Sequence, residues 1–316
     1  METHVIVGAG PVGSATALLL AEDGDHVLLV SRSGSGPDHP GIEKVAANAA
    51  NRANMLRLSV GATAVYNCAN PAYHRWPTDW PPIASSLLQA AKECNAVLVT
   101  MSNLYGYGPV NHPLTERDKL AATGKKGRVR ANMWAEASAA YDASQVRATE
   151  ARASTFFGPG ETSSHFARVI PRVLAGKTVR VLGNPDAPHS WTYVPDVART
   201  LVILASDERA WGRPWHVPTN PPLSQRDMVE ALADLAGVPA PPVRGIPRWV
   251  VQAGGVISPL LRELREVLYQ FERPFVLDSS AATETFGLQP TPMHEALSAT
   301  LEWWNSRQKS ASLREA

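Results

Sequence analysis

The fold of this chain is decided by residues 4–13, HVIVGAGPVG. An apolar run over 4–7 ends at a glycine, and small and apolar residues then recur at helical spacing over 11–22. The glycines have the spacing Gly-x-Gly-x-x-Gly. The first permits a tight turn, the second lets a pyrophosphate approach the backbone, and the third lets the helix pack against the strand. Because the N-terminus of a helix offers free N–H groups to phosphates, the stretch predicts a dinucleotide-binding turn.

The pattern outside this turn predicts strands that alternate with helices. Further buried strands are expected at 26–30, 64–66, 96–99 and 150–157, and helices at 83–93 and 130–143. This alternation is typical of a parallel sheet with helices on both faces. We therefore predict an α/β, Rossmann-type doubly wound parallel sheet.

The second half of the chain has a different pattern. Prolines cluster at 213–222 and 239–247, and helices are expected at 164–175, 225–236 and 292–304. The sequence predicts a dinucleotide-binding domain over 1–160 and a smaller, mostly helical substrate-binding lobe over 161–305. We expect this lobe to be interleaved with the first domain through a late strand and to be able to close over the cofactor. The polar residues 306–316 are expected to form a flexible tail.

Composition excludes several classes of protein. The chain has 316 residues, 44% hydrophobic and 19% charged, with a net charge of +1, which argues against disorder and against a nucleic-acid surface. Two cysteines, Cys68 and Cys94, cannot build a disulfide framework, and they fit a reducing cytoplasm. We find no signal peptide, no membrane-spanning stretch and no metal-ligand spacing, so we expect a cytoplasmic protein with no membrane partner and no metal.

The end of the second strand indicates which dinucleotide binds. Val30 is followed by Ser31 and Arg32, where an acidic residue would bind the ribose hydroxyls of NAD. A serine and an arginine suit the 2′-phosphate of NADP instead. The sequence therefore predicts NADP, with NAD as the alternative.

Over nearly its whole length, the chain resembles the extended short-chain dehydrogenase/reductase family, the NAD-dependent epimerase/dehydratase group. The segments that carry the resemblance are 48–51, 67–70, 102–108, 152–160 and 189–196, in the order and at the spacings of the family. Together with the glycine turn, the resemblance implies a cofactor site at Gly8, Gly10, Pro11, Val12, Gly13, Ser31, Arg32, Asn48, Ala69, Asn70, Met101, Ser102, Arg130, Ala153 and Thr155.

The chain departs from the family at its catalytic pair, Tyr-x-x-x-Lys. None of the seven tyrosines is followed by lysine four residues later. Lys126 takes the place of the tyrosine and Arg130 that of the lysine. Asn103 takes the place of the family's Ser or Thr, and a shifted register would place Met101 there instead. Lys126 is expected to act as an acid if burial and the neighbouring cations lower its pKa. Tyr105 and Tyr107 are the other expected proton donors.

The substrate side is rich in aromatic residues. His189 stands where relatives that act on nucleotide sugars have an arginine, which argues against a nucleotide-diphosphate substrate. An aromatic pocket suits a hydrophobic or planar metabolite. The expected substrate contacts are Tyr73, His74, Trp76, Phe156, His189 and Trp191.

Three functions remain open at this point. The first is an NADP-dependent oxidoreductase with a rewired proton donor, acting on a hydrophobic small molecule. The second is a redox-neutral epimerase, dehydratase or isomerase that uses bound NAD(P). The third is a non-catalytic NADP-binding sensor or partner subunit. The resemblance also implies a homodimer that pairs through the helix near 130–143.

Overall fold

A computed structural model describes residues 1–256 and 258–315, with the side chains of 259, 260 and 308–315 left out. Within these residues the strands are β1 (Thr3–Val7), β2 (His26–Ser31), β3 (Ile42–Ala46), β4 (Ala64–Asn67), β5 (Val97–Asn103), β6 (Arg147–Ala153), β7 (Thr155–Phe157), β8 (Val179–Leu182), β9 (Trp191–Tyr193), β10 (Pro214–His216) and β11 (Val243–Ile246).

The helices alternate with the strands through the first half of the chain and dominate the second half. They are α1 (Pro11–Glu22), α2 (Arg52–Ser59), α3 (Trp76–Glu93), α4 (Lys125–Asp142), α5 (Ile170–Leu174), α6 (Val194–Ser206), α7 (Gln225–Leu235), α8 (Arg248–Gly254), α9 (Pro259–Leu264), α10 (Tyr269–Glu272), α11 (Ser280–Phe286) and α12 (Met293–Glu315). Short 3₁₀ turns lie at Tyr73–Arg75, Leu104–Tyr107 and Glu208–Ala210.

The central sheet has seven strands in the order β10-β6-β5-β4-β1-β2-β3, and every pair is parallel. Strand residues are apolar on both faces because helices cover both. Ile6 and Leu29 pack on the side of α1 and α6, whereas Val5 and Val65 pack on the side of α2, α3 and α4. The predicted Rossmann-type fold is confirmed. The strand order reverses between β1 and β4, and a ligand crevice lies at such a switch point.

Beyond β6 the chain leaves the central sheet and returns to it. Two small parallel pairs, β7 with β9 and β8 with β11, lie outside the main sheet. A separate apolar core there includes Phe157, Trp191 and Met228. After β9 the chain crosses through α6 and adds β10 beside β6.

Several predicted elements have different bounds in the structure. The strand expected at 150–157 is interrupted at Ser154, because the Ser154 N–H donates to Thr192 Oγ1 at 3.1 Å and β7 then pairs with β9. The helix expected from residue 83 begins at Trp76, with Pro77 in its first turn. The helix expected from residue 130 begins at Lys125.

The second half differs from expectation in two places. The helix expected over 164–175 is limited to Ile170–Leu174, since turns occupy the residues before it. The polar segment expected as a flexible tail continues α12, whose backbone is helical through Glu315.

Candidate cofactor and active site

The glycine turn between β1 and α1 is built from close backbone contacts. Gly8 has a φ of +112°, and a Cβ there would collide with the carbonyl oxygen of Cys68 after β4. A Cβ on Gly13 would collide with the carbonyl oxygen of Gly8. Gly10 differs, because no atom of the described residues would lie within 4 Å of a Cβ placed on it. Gly8 and Gly13 therefore permit close contacts between backbone segments, whereas Gly10 leaves space for a ligand.

The N-terminus of α1 is suited to an anion. Gly10 occupies the N-cap position, no side chain caps the helix, and its first turn contains no acidic residue. Pro11 lies at the first helical position, where its missing N–H costs no hydrogen bond. Val12 and Gly13 follow and are buried. The remaining free N–H groups and the helix dipole favour a phosphate at Gly10.

Residues in or just after four other strands lie at the same edge of the sheet. Ala69 and the exposed Asn70 follow β4. Met101 and Ser102 lie in β5, and Ala153 ends β6, all three buried. A Cβ on Gly160, in the loop after β7, would be 3.7 Å from Pro11 Cβ, so this loop flanks the phosphate position. The predicted cofactor residues thus lie at the carboxyl edge of the sheet.

The far end of the crevice has a free cation. Ser31 ends β2, and its hydroxyl accepts from the N–H of Ser35 at 2.9 Å, which closes a turn around Arg32. Arg32 is exposed and forms no ion pair within the described part of the chain. Asn48 lies in the exposed loop after β3, and its Oδ1 accepts from Ala50 N at 3.0 Å. Arg32 is therefore available for a phosphate on the ribose.

Lys126, expected as the replacement for the catalytic tyrosine, is held by the C-terminal part of the chain. Its side chain is 3% exposed, and its ammonium forms ion pairs with Glu263 and, at 3.3 Å, Glu266. Its backbone N–H donates to Glu266 Oε1 at 2.6 Å. The sequence predicts cations around this ammonium, whereas the structure places two carboxylates against it.

Arg130, expected from the sequence at the place of the family's lysine, lies between two indole rings. Its guanidinium carbon is 4.2 Å from the Trp80 ring centroid and 4.8 Å from that of Trp76. One terminal nitrogen donates to the carbonyl of Met101 at 3.3 Å, and the buried Nε has no partner among the described residues. Burial lowers the pKa of Arg130 to about 10, so the group remains charged at neutral pH.

Tyr105 forms a phenol pair with Tyr73. Their hydroxyl oxygens are 2.7 Å apart, and Trp76 stacks on Tyr105 at 5.9 Å between ring centroids. The Asn103 side chain accepts from the Tyr105 N–H at 3.0 Å and so fixes the start of this turn. Burial raises the pKa of Tyr105 well above its ordinary value, while the charge of Arg130 opposes this rise. Tyr105 is therefore a protonated phenol at neutral pH.

Tyr107, the other expected proton donor, belongs to a buried polar network. Its hydroxyl accepts from Arg152 at 2.7 Å and lies 2.8 Å from His216 Nε2. Arg152 also binds Glu150 at 2.6 Å, and His216 Nδ1 lies 2.7 Å from the Asp278 carbonyl oxygen. Because every partner of this hydroxyl is a protein group and Tyr107 is 2% exposed, the structure corrects the expectation of a proton donor here.

Two predicted substrate residues lie in the core instead of the crevice. His189 is 1% exposed; its Nδ1 lies 3.1 Å from the Gln270 carbonyl oxygen and its Nε2 lies 2.8 Å from the Thr155 hydroxyl. Trp191 is 2% exposed and donates to the Leu223 carbonyl at 2.8 Å. The structure corrects both expectations, because both rings are buried and their N–H and N groups bond to other protein groups.

The other predicted substrate residues are divided between the crevice side and the core. Tyr73 is half-buried, and His74 is exposed. Trp76 is 1% exposed, with its indole N–H donating to the Pro71 carbonyl at 2.9 Å, so it supports the phenol pair from behind. Phe156 is half-buried against the central core.

Sequence reasoning missed Glu263 and Glu266. The contact between Lys126 and Glu263 spans 137 residues, and no spacing in the sequence indicates it. The only available signal was the density of charge in residues 262–266, which is also typical of an exposed helix.

Two further observations concern metal binding and membrane spans. Among the described residues, no group of three or more His, Cys, Asp or Glu side chains has the geometry to bind a metal ion. In the same part of the chain, none of the helices combines the length and the apolar character needed to cross a membrane.

Comparison with known proteins identifies a family for this chain. The model of the "NAD dependent epimerase/dehydratase family" matches residues 4–217. Comparison with the curated proteins gives no significant match.

Solved structures share the fold over the whole chain. A dTDP-glucose 4,6-dehydratase from Bacillus anthracis, in complex with NAD, has a TM-score of 0.80 at 17% identity, with 98% of each chain covered. A UDP-glucose 4-epimerase from Thermotoga maritima, with UDP-glucose, has a TM-score of 0.81 at 17% identity, covering 97% of this chain and 100% of that one. The epimerase Mth375 from Methanothermobacter thermautotrophicus has a TM-score of 0.82 at 16% identity, covering 98% and 93%.

Proposed function

This chain belongs to the NAD dependent epimerase/dehydratase family, and on that premise we propose that it is an NADP(H)-dependent oxidoreductase whose proton donor is Tyr105. The observation that carries the proposal is the 2.7 Å hydrogen bond between the phenols of Tyr73 and Tyr105, beside Arg130. Lys126 and Tyr107 have other partners.

The residues of the crevice fit a dinucleotide. Gly10 has open space around it, and the α1 N-terminus would hold the pyrophosphate. The free guanidinium of Arg32, with the Ser31–Ser35 turn, would hold the 2′-phosphate of NADP. Arg130, with its unpartnered Nε, would hold the hydroxyls of the nicotinamide ribose. The bound cofactor supplies the hydride, and the residues of the chain supply orientation and the proton.

Tyr105 has the properties of a general acid. Its raised pKa keeps the proton on the phenol at neutral pH, which suits donation to the oxygen of a carbonyl that is being reduced. Tyr73 accepts or donates the hydrogen bond that holds the phenol in place. Arg130 stabilises the phenolate that remains after transfer, because its charge favours the ionised form of Tyr105. The proton then returns from solvent.

The substrate class follows from the side chains around Tyr105. Tyr73 is a half-buried aromatic residue, Trp76 stacks on Tyr105, and Arg130 faces indole rings. We therefore propose a hydrophobic or planar carbonyl compound as the substrate. We also propose a cytoplasmic location, since Cys68 and Cys94 are unpaired, and binding of neither nucleic acid nor membrane.

The proposed quaternary state is a homodimer that uses the outer face of α3 and α4. A groove of about 530 Å³ lies between these helices, lined by apolar side chains such as Pro81, Val129 and Met133, with Lys125 and Arg128 at its margin. The molar mass by light scattering tests this proposal, and a monomer at micromolar concentration would contradict it.

The function is tested with purified protein and NADPH. We expect NADPH to raise the melting temperature more than NADH does, and NADPH to be consumed with members of a panel of aromatic and aliphatic aldehydes and ketones. Stabilisation by NADPH with no consumption across the panel would favour a redox-neutral isomerase or a non-catalytic sensor. No response to either dinucleotide would contradict the proposal as a whole.

A further inference from the structure

The segment of residues 258–268, called here the cover segment, joins the C-terminal half to the candidate active site. It contains α9 and ends just before α10. On one side it packs through Leu261, Leu264 and Leu268 against a small apolar cluster that includes Val251. On the other side α9 lies beside the turn Tyr73–Arg75.

The contact on the active-site side is ionic. Glu263 and Glu266 both bind the ammonium of Lys126, and the Glu263 carbonyl accepts from it at 3.2 Å. Glu266 also accepts from the first turn of α4 at Lys126 N. Gly124 makes room for this carboxylate, since a Cβ there would collide with Glu266 Oε1. We call this group of three side chains the Lys126 latch.

The latch lies beside the Tyr73 ring, one member of the phenol pair. The Lys126 ammonium is 5.6 Å from the centroid of the Tyr73 ring, and Tyr73 binds Tyr105. The cover segment contributes to the burial of the Lys126 side chain, since the ionic partners Glu263 and Glu266 come from that segment. Removal of the cover segment would therefore take away the ionic partners of Lys126 and the helix that lies beside the Tyr73–Arg75 turn.

The balance of energies in the latch suits a reversible contact. The carboxylates of Glu263 and Glu266 are 24% exposed, so water reaches them even in the closed position. A partly buried ion pair gains Coulomb energy but loses hydration, and the two largely offset each other. When the latch opens, the hydration of its three charged groups compensates for the lost ion pairs. An apolar contact that opened would have no such compensation. The apolar side of the cover segment, at Leu264 and Leu268, can remain packed and act as the hinge.

We propose that the cover segment is a lid over the Tyr73–Tyr105 pair, and that the Lys126 latch holds it closed. Its opening admits the substrate, and its closing excludes water from the phenols. The inference rests on the proposed location of the active site at this pair, whereas the measurements below follow the segment itself and do not require turnover.

The test compares latch variants with a matched control in the full-length protein. Lys126→Met leaves two unpaired carboxylates, and Glu263→Gln combined with Glu266→Gln leaves an unpaired ammonium. Glu272→Gln is the control, because it breaks the exposed ion pair with Arg248 in the same half of the chain without touching the latch. Lys126→Arg keeps the positive charge and should keep the lid closed.

Two measurements report on opening. Hydrogen–deuterium exchange of peptides that cover 258–268 should be about 10-fold faster or more in the latch variants, because removal of one partner of a buried pair destabilises its contact. Nitration by tetranitromethane should accelerate at Tyr73 relative to Tyr141, which lies on the last turns of α4. The control and Lys126→Arg should behave as the wild type in both.

The result that overturns the proposal is unchanged exchange and nitration in both latch variants. Should a variant fail to fold, the wild type is examined between about 0.05 and 1 M NaCl, over which the Debye length falls from more than 10 Å to about 3 Å. A salt-dependent rise in exchange confined to the cover segment supports an ionic latch, and a salt-independent rate contradicts it.

Discussion

The phenol oxygens of Tyr73 and Tyr105 lie 2.7 Å apart, although 32 residues separate them in the chain. The two rings come from turns that follow neighbouring strands, β4 and β5, so the parallel sheet brings them to the same edge. This relationship holds a protonated phenol beside Arg130, and it gives the first of five predictions.

Tyr105→Phe removes the proposed proton donor while preserving the ring that packs on Trp76. We expect kcat with a carbonyl substrate to fall about 100-fold or more, the usual contribution of a general acid, with the Kd for NADPH unchanged. Steady-state kinetics and a fluorescence titration measure the two quantities. Tyr141→Phe, on the outer part of α4, is the control, and full activity in Tyr105→Phe would refute the assignment.

Lys126→Arg separates a structural cation from a proton donor. A guanidinium keeps the charge but cannot transfer a proton at neutral pH. Because Lys126 is held by Glu263 and Glu266, we expect kcat to stay within about threefold of the wild type, well short of the loss that removal of a general acid causes. A loss as large as that of Tyr105→Phe would return Lys126 to the role of acid.

Arg32→Ala tests the choice of dinucleotide. Loss of the free guanidinium should weaken NADPH binding by about 10-fold or more, which corresponds to one charge-assisted hydrogen-bonded contact, and should leave NADH binding unchanged. Isothermal titration calorimetry gives both dissociation constants. Arg57→Ala removes an exposed arginine from α2 and should alter neither. If the binding of NADPH and of NADH were weakened equally, Arg32 would not contact the 2′-phosphate.

Gly10 and Gly13 should respond differently to alanine. Gly10 has open space around its Cβ position, so Gly10→Ala should cost about 1 kcal/mol or less in unfolding free energy but weaken dinucleotide binding. Gly13→Ala places a Cβ against the Gly8 carbonyl and should cost roughly 3 kcal/mol. Urea denaturation and NADPH titration of both variants check this. Equal stability of the two would contradict the geometry of the turn.

His189 predicts how stability depends on pH. Burial lowers its pKa to about 3, against 6.5 for the unfolded chain, so below pH 6.5 the unfolded state binds a proton that the folded state does not. The contribution of neutral His189 to the unfolding free energy is fully present above pH 6.5. It is lost as the pH falls towards 3, and the unfolding free energy then changes by up to about 1.4 kcal/mol per pH unit. His165, with a pKa lowered to about 4 by burial, adds to the same slope.

The measurement is the unfolding free energy in urea from pH 7 to pH 4.5. His189→Gln should make the decline less steep, and His74→Gln, which changes an exposed side chain, should not. A slope that His189→Gln leaves unchanged would show that this histidine is not neutral in the folded state.

The sequence by itself determined the fold and the family, and it predicted the phosphate end of a cofactor site. Glycine spacing and strand–helix alternation are local patterns. A local backbone requirement, such as the φ of +112° at Gly8, is met by the identity of a single residue. It also located Tyr105 among the candidate donors, but it could not rank them.

Only the tertiary structure decided which candidate is free to act. Lys126 meets carboxylates 137 and 140 residues away, Tyr107 meets His216 across 109 residues, and His189 is enclosed by protein on both nitrogens. These partners come from elements that pack together only after the sheet and the C-terminal half have assembled. Since charge, burial and hydrogen-bond partners depend on that assembly, spacing along the chain carries no signal for them.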